Sequence, residues 1–142
     1  MKPLDIAKTQ IGVAEVPKGS NKGKQVEEYL SVVGLPGGYS WCMAFVQWCF
    51  KQSELKFPFV SAGVLSVWAH TTALHTFDPQ PGDVFIMEFS HGLGHTGLVE
   101  LVDGDHIHTI EGNTNDDGSR EGYEVARRIR KKQSILGYIR VS

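Results

Sequence analysis

Apolar positions follow helical spacing in the first half of the chain and strand spacing in the second. Residues 3 to about 12 read as a short helix with Leu4, Ala7 and Ile11 on one face. Residues 17–23 form a polar stretch rich in turn formers. A helix from about Lys24 to Val33 carries Val26, Tyr29, Leu30 and Val33, and Gly34 stops it. Leu35-Pro36-Gly37-Gly38 then interrupts regular structure. Behind it, Cys42 to about Ser53 is almost wholly apolar, the mark of a buried helix. Phe57-Pro58-Phe59-Val60 is irregular. Ser61 serves as the N-cap of a helix through about His70 that contains Val64, Leu65 and Trp68.

From Pro79 onward the pattern changes. The turn Pro81-Gly82-Asp83 leads into a strand at Val84-Phe85-Ile86-Met87. A glycine- and histidine-rich loop over 90–94 precedes a strand over 96–102, and Asp103-Gly104 is a hairpin-turn dipeptide. Ile107-His108-Thr109-Ile110-Glu111 is the next strand, a polar loop covers 113–119, and strands over 125–130 and 135–141 finish the sheet. Helices first and strands afterwards make the fold class α+β, with N-terminal helices packed on an antiparallel β-sheet.

Composition narrows the function. At 142 residues, 41% hydrophobic and 21% charged, the chain is expected to be a single domain, 1–142, with a proper core. A formal net charge of -2 gives no field to draw nucleic acid or an acidic membrane. The basic run over 127–132 reads as a solvated strand or turn face, with contact to an anionic polymer as the alternative. No apolar run approaches the ~20 residues of a membrane span, so no membrane insertion is expected. The first residues carry no signal-peptide pattern, so synthesis in the cytoplasm is expected.

Candidate chemistry centres on Cys42. At a helix N-terminus, unpaired N–H groups and the macrodipole favour a thiolate. Cys42 and Cys49 lie two helical turns apart, roughly 10 Å, beyond the about 7 Å a disulfide tolerates, so both are expected to be free thiols. A cysteine nucleophile needs a base and a group to orient that base. His95, at the mouth of a strand behind Gly92-Leu93-Gly94, is the best base. Glu111 and Asn113 end the strand that pairs with it. Two apart in extended chain, they share a face, so both are expected to reach the His95 region. His106 and His108 alternate on a strand, but no third metal ligand is obvious nearby. Asp116-Asp117-Gly118 reads as a turn. Of the tryptophans, Trp41 is the one expected to line a substrate groove.

The order Trp41-Cys42 at a helix start, Gly94-His95-Thr96-Gly97 on a strand and Glu111-Gly112-Asn113 on the next resembles the CHAP domain of peptidoglycan hydrolases, a papain-like group related to the NlpC/P60 cysteine peptidases. The element Pro81-Gly82-Asp83-Val84 looks like one shared by both groups. Gly12-Val13-Ala14-Glu15-Val16-Pro17, with Ser20-Asn21-Lys22-Gly23, is also similar to phage-type and bacterial CHAP proteins. The resemblance covers essentially the whole chain. It implies a papain-like fold, Cys42 as nucleophile, His95 as general base, Glu111 as orienting acid and Asn113 as the polar partner beside it. It further implies cleavage of a peptidoglycan amide, between muramic acid and L-alanine or within the stem or cross-bridge peptide. Some CHAP domains bind calcium through an acidic loop before the cysteine; residues 35–41 hold no Asp or Glu, so no such site is expected here.

The chemistry expected is attack of the Cys42 thiolate on an amide, with the Cys42 N–H as one oxyanion donor and Tyr39 or Ser40 supplying a second. His95 then protonates the leaving amine and water resolves the thioester. No metal or cofactor is needed. A monomer acting on peptidoglycan in the periplasm or cell wall is expected, as a phage endolysin or as a secreted effector whose producer makes an immunity protein. The rivals are an acyl transferase or transpeptidase using the same thioester and a non-catalytic wall-binding module.

Overall fold

The computed structural model describes residues 1–114 and 122–141. The turn expected at Asp116-Asp117-Gly118, and the 113–119 loop beyond Thr114, lie outside the described residues. Helices α1 (Pro3–Thr9), α2 (Lys24–Ser31), α3 (Cys42–Gln52) and α4 (Val64–Ala69) precede strands β1 (His75–Thr76), β2 (Val84–Glu88), β3 (Gly94–Asp103), β4 (His106–Thr114), β5 (Glu124–Lys131) and β6 (Gly137–Ile139). The strands form one antiparallel sheet in the order β1-β6-β2-β3-β4-β5. The fold is α+β, as the sequence pattern implies.

α3 is the organising element. Every residue from Cys42 to Phe50 is buried, and the helix lies against β3 and β4 on one side and α1 and α2 on the other. Val46, Phe45, Trp48 and Phe50 are weak helix formers by a few tenths of a kcal/mol each. Burying each such side chain contributes about 1.5–3 kcal/mol, so packing decides that the segment is helical. One face of the sheet supplies Val84, Ile86, Leu98, Ile110, Val125 and Ile139 to this core. The other face carries a smaller cluster of Phe85, Met87, Val99, Ile107 and Tyr138.

Several boundaries differ from the sequence pattern. α1 ends at Thr9 rather than near Gly12. α4 begins at Val64, not after Ser61, because the Ser61 hydroxyl accepts the Gly63 N–H (3.0 Å) and shapes the turn before the helix. β1 is unanticipated, β6 is shorter than 135–141, and a 3-10 turn over Lys132–Ser134 follows β5. The hairpin turn falls one residue later than Asp103-Gly104, with Asp103 pairing His106 around Gly104 and Asp105. Asp83 fixes the turn before β2. Its carboxylate accepts the Gln80 N–H (2.8 Å) and two N–H groups of Arg140 (2.9 and 2.8 Å).

Residues 12–15 run beside the start of β5. Gly12 N–H donates to Val125 C=O, Val125 N–H to Val13 C=O, and Glu15 N–H to Tyr123 C=O. This track carries Glu15 to the start of α3. No described helix is long and apolar enough to cross a membrane.

Candidate active site

Cys42 is the first residue of α3 and is buried. No side chain caps the helix, so by helix geometry its first N–H groups have no intrahelical acceptor and are oriented for an anion. What fixes Cys42 is its neighbour. The Trp41 backbone N–H donates to Asn113 Oδ1 (2.8 Å), and its indole N–H donates to Glu15 Oε2 (2.8 Å). Glu15 Oε1 accepts the Gly19 N–H (2.9 Å), and the Tyr29 ring stacks on the indole with centroids 5.6 Å apart. Asn113 also donates through Nδ2 to Gly122 C=O. Gly112 lets α3 come this close: a Cβ there would stand 2.8 Å from Trp41 Cζ3 and 2.9 Å from Phe45 Cβ.

His95 lies one residue inside β3, paired with Met87 and buried. Its Nε2–H donates to Glu111 Oε1 at 2.7 Å. Glu111 is fully buried and takes three further hydrogen bonds: from Thr109 Oγ1–H (2.6 Å) and Arg130 Nε–H (2.9 Å) at Oε2, and from Arg130 Nη2–H at Oε1. Gly97 makes room for the carboxylate beside β3, since a Cβ there would stand 2.7 Å from Glu111 Cγ and 2.8 Å from Phe85 Cε2. Burial alone would lower the His95 pKa, but its interactions with Cys42 and then Glu111 outweigh that and raise it to about 9. Burial alone would raise the Glu111 pKa, but Arg130 and His95 hold it down at about 2. Nδ1 of His95 makes no hydrogen bond of full geometry among the described residues. Cys42 is the group bearing on that ring from α3. A loose nucleophile–base contact is normal before substrate binds.

The structure thus brings Cys42, His95 and Glu111 together, and Cys42 and Cys49 are both free and buried. Two expectations are corrected. Trp41 does not line a groove: it is completely buried, because its indole N–H finds an interior acceptor in Glu15. Asn113 does not share a face with Glu111. The β4–β5 register shifts between Glu111 and Thr114, and Asn113 adopts φ +58, so its side chain turns to Trp41 rather than His95. Tyr39 is exposed and Ser40 half-buried just before Trp41. His106 and His108 lie at the far end of the β3–β4 hairpin from His95.

Sequence reading missed four residues. Thr109 could have been found by alternation, two positions before Glu111. Arg130 was hidden in a basic run, and only the β4–β5 register, which sets Ile107 opposite Arg130, shows which face it occupies. Glu15 was signalled by its place in an apolar stretch, Val13-Ala14-Glu15-Val16. Gly97 was quoted only as part of a pattern.

The CHAP domain family model matches residues 34–113, a span that includes Cys42, His95 and Glu111 and ends on Asn113. No curated protein matches in sequence. Among solved structures, the fold is similar to the wild type endolysin LysIME-EF1, with TM-score 0.60, 16% identity, and 97% of this chain and 62% of that chain covered. It is also similar to Ly7917, with TM-score 0.57, 17% identity, and 97% and 60% covered. A structure of Ly7917 with the hydrolyzing product of MDP gives TM-score 0.58, 18% identity, and 96% and 60% covered. The chain spans about three fifths of the length of these structures. At this identity the likeness is one of fold.

Proposed function

The chain belongs to the CHAP domain family, and from that membership we propose that it hydrolyses an amide bond of peptidoglycan with Cys42 as nucleophile. The observation that carries this reading is the buried His95, which is anchored through Nε2 to a charge-balanced carboxylate and lies within electrostatic reach of Cys42. The fold likeness to an endolysin supports the choice of substrate.

In the proposed reaction, His95 holds the proton of the Cys42 thiol and the thiolate attacks the amide carbonyl carbon. The oxyanion meets the N–H of Cys42 at the start of α3, with Tyr39 or Ser40 offered as the second donor. His95 gives its proton to the leaving nitrogen as the C–N bond breaks, which leaves a thioester and a free amine. Water enters, His95 takes its proton, and attack on the thioester releases a carboxylate and restores the thiolate. Glu111 keeps Nε2 protonated and the ring oriented throughout. The scissile bond joins muramic acid to L-alanine or lies within the stem or cross-bridge peptide.

The test is digestion of purified peptidoglycan with the wild type and with Cys42→Ala, read by mass spectrometry. New amino termini released only by the wild type are expected, with a loss of at least about 10³-fold in the variant. Fragment masses name the bond. Equal, null digestion by both proteins on several wall chemotypes would overturn the reading. Products joined to an added amine would replace hydrolysis with acyl transfer.

A further inference from the structure

The basic run at the end of β5 holds two arginines with different surroundings. Arg127 pairs with Glu100 at the surface, the arginine side chain 56% exposed. Arg130 is 11% exposed and forks onto both oxygens of the fully buried Glu111. We propose that Arg130 is a positioning residue of the site, which keeps Glu111 ionised and fixed so that His95 stays turned towards Cys42. This rests on the reading of Cys42 as nucleophile.

Two features support it. First, the carboxylate cannot turn. Oε1 takes His95 and Arg130, and Oε2 takes Thr109 and Arg130, so rotation about the last bond would break all four contacts. A bidentate guanidinium adds geometric specificity that a point charge lacks. Second, a buried carboxylate without a counter-charge takes up a proton. His95 supplies a counter-charge only while it is an imidazolium, and the reaction makes it neutral when the leaving amine is protonated. Arginine stays charged at every working pH. With Arg130 in place, Glu111 remains an anion through both halves of the reaction. Among the described residues, the charged and titratable groups bearing on Glu111 are His95 from β3 and Arg130 from β5, with Cys42 of α3 acting through His95.

The main readout of the experiment is thiol reactivity, with wall hydrolysis as a second one. Alkylation of the full chain by iodoacetamide is followed from pH 4 to 9 by mass spectrometry that separates Cys42 from Cys49, in the wild type, Arg130→Gln and Arg130→Lys. In Arg130→Gln the acid limb of Cys42 reactivity is expected to move up by about one pH unit, a tenfold loss of rate on that limb. Arg130→Lys keeps the charge and so keeps the limb within a few tenths of a unit, while its wall-hydrolysis kcat falls several-fold at unchanged KM. A wild type in which Cys42 reacts no faster than Cys49 would sink the nucleophile itself. A reactive Cys42 whose profile is the same in Arg130→Gln as in the wild type would overturn the role of Arg130 alone. If Arg130→Gln does not fold, a shift of a full unit in Arg130→Lys would overturn it equally, because charge would then not be what sets the limb.

Discussion

The start of α3 and the β3–β4–β5 face hold the two halves of one site by different physics. Around Cys42, the fixing contacts are a buried indole, a backbone N–H and an asparagine amide, ending on the Glu15 carboxylate. Around His95 they are charges in series: imidazole, carboxylate and guanidinium, with one hydroxyl. A nucleophile held mainly by packing and by hydrogen bonds to neutral groups keeps its place while His95 titrates. A base held by charge can be tuned, because each member of the series sets the protonation of the next. Perturbing the first region should therefore change rate and stability without moving a pH profile, whereas perturbing the second should move the profile.

The largest effect is expected from Glu111→Gln. An amide cannot balance Arg130 or support an imidazolium. Wall hydrolysis should fall by about 10³–10⁴-fold, the scale of removing the orienting acid from a nucleophile–His–acid triad. Stability should respond with a defined sign. The folded pKa of Glu111, about 2, lies below its ordinary 4.5, so the stability it lends is full above about pH 4.5 and is lost as pH falls through about 2. The folded pKa of His95, about 9, lies above its ordinary 6.5, so its contribution is full below about pH 6.5 and is lost as pH rises through about 9. Thermal melts of the wild type from pH 2 to 10 should peak between those windows. Glu111→Gln should reduce the acid-side fall, leaving the share of Glu100, and weaken the alkaline one. A variant whose melting profile parallels the wild type at both ends would show that the charge series does not hold this face together.

Asn113→Ala tests the other region. It leaves the buried Trp41 N–H and the Gly122 carbonyl without their partners, at about 1–3 kcal/mol for an unsatisfied buried group. It also places alanine at φ +58, at about 1–2 kcal/mol. A fall of a few kcal/mol by denaturant titration is expected, with about tenfold lower hydrolysis from a displaced α3 start. The pH dependence of Cys42 alkylation should keep its shape. A moved acid limb would join the two regions into one and remove the distinction.

The same division explains what the sequence revealed. α3, β2 and the order of Cys42, His95 and Glu111 were legible because apolar period and turn dipeptides are local signals. Trp41 and Asn113 were misplaced because their roles depend on long-range partners. Alternation carried Asn113 to the face of Glu111, but the irregularity after Glu111 reverses it. Trp41 read as a groove residue because nothing local shows that residues 12–15 fold back along β5 and bring Glu15 to its indole. Arg130 was hidden for a related reason. Six consecutive positions containing five basic residues look alike until the register of β4 and β5 separates their faces.

The smallest effect is expected from Arg127→Ala, and it tests that separation most directly. Arg127 lies three residues before Arg130 on β5 and also forks a carboxylate, with Nε 2.9 Å from Glu100 Oε1 and Nη2 3.1 Å from Oε2. A count of ion pairs would rank the two arginines together. Odd and even positions on a strand point to opposite faces, however, and Arg127 falls on the solvent side with Ile129 and Lys131. With the Arg127 end of the pair 56% exposed, the pair contributes about 0.2–1 kcal/mol, less in salt, because water already solvates the guanidinium. Denaturant midpoints should move little, and the difference should shrink further at 1 M salt. Cys42 alkylation and wall hydrolysis should match the wild type across pH. A pH shift in Arg127→Ala as large as that of Arg130→Gln would mean that the positive field of the whole strand, rather than one buried guanidinium, sets the chemistry of His95.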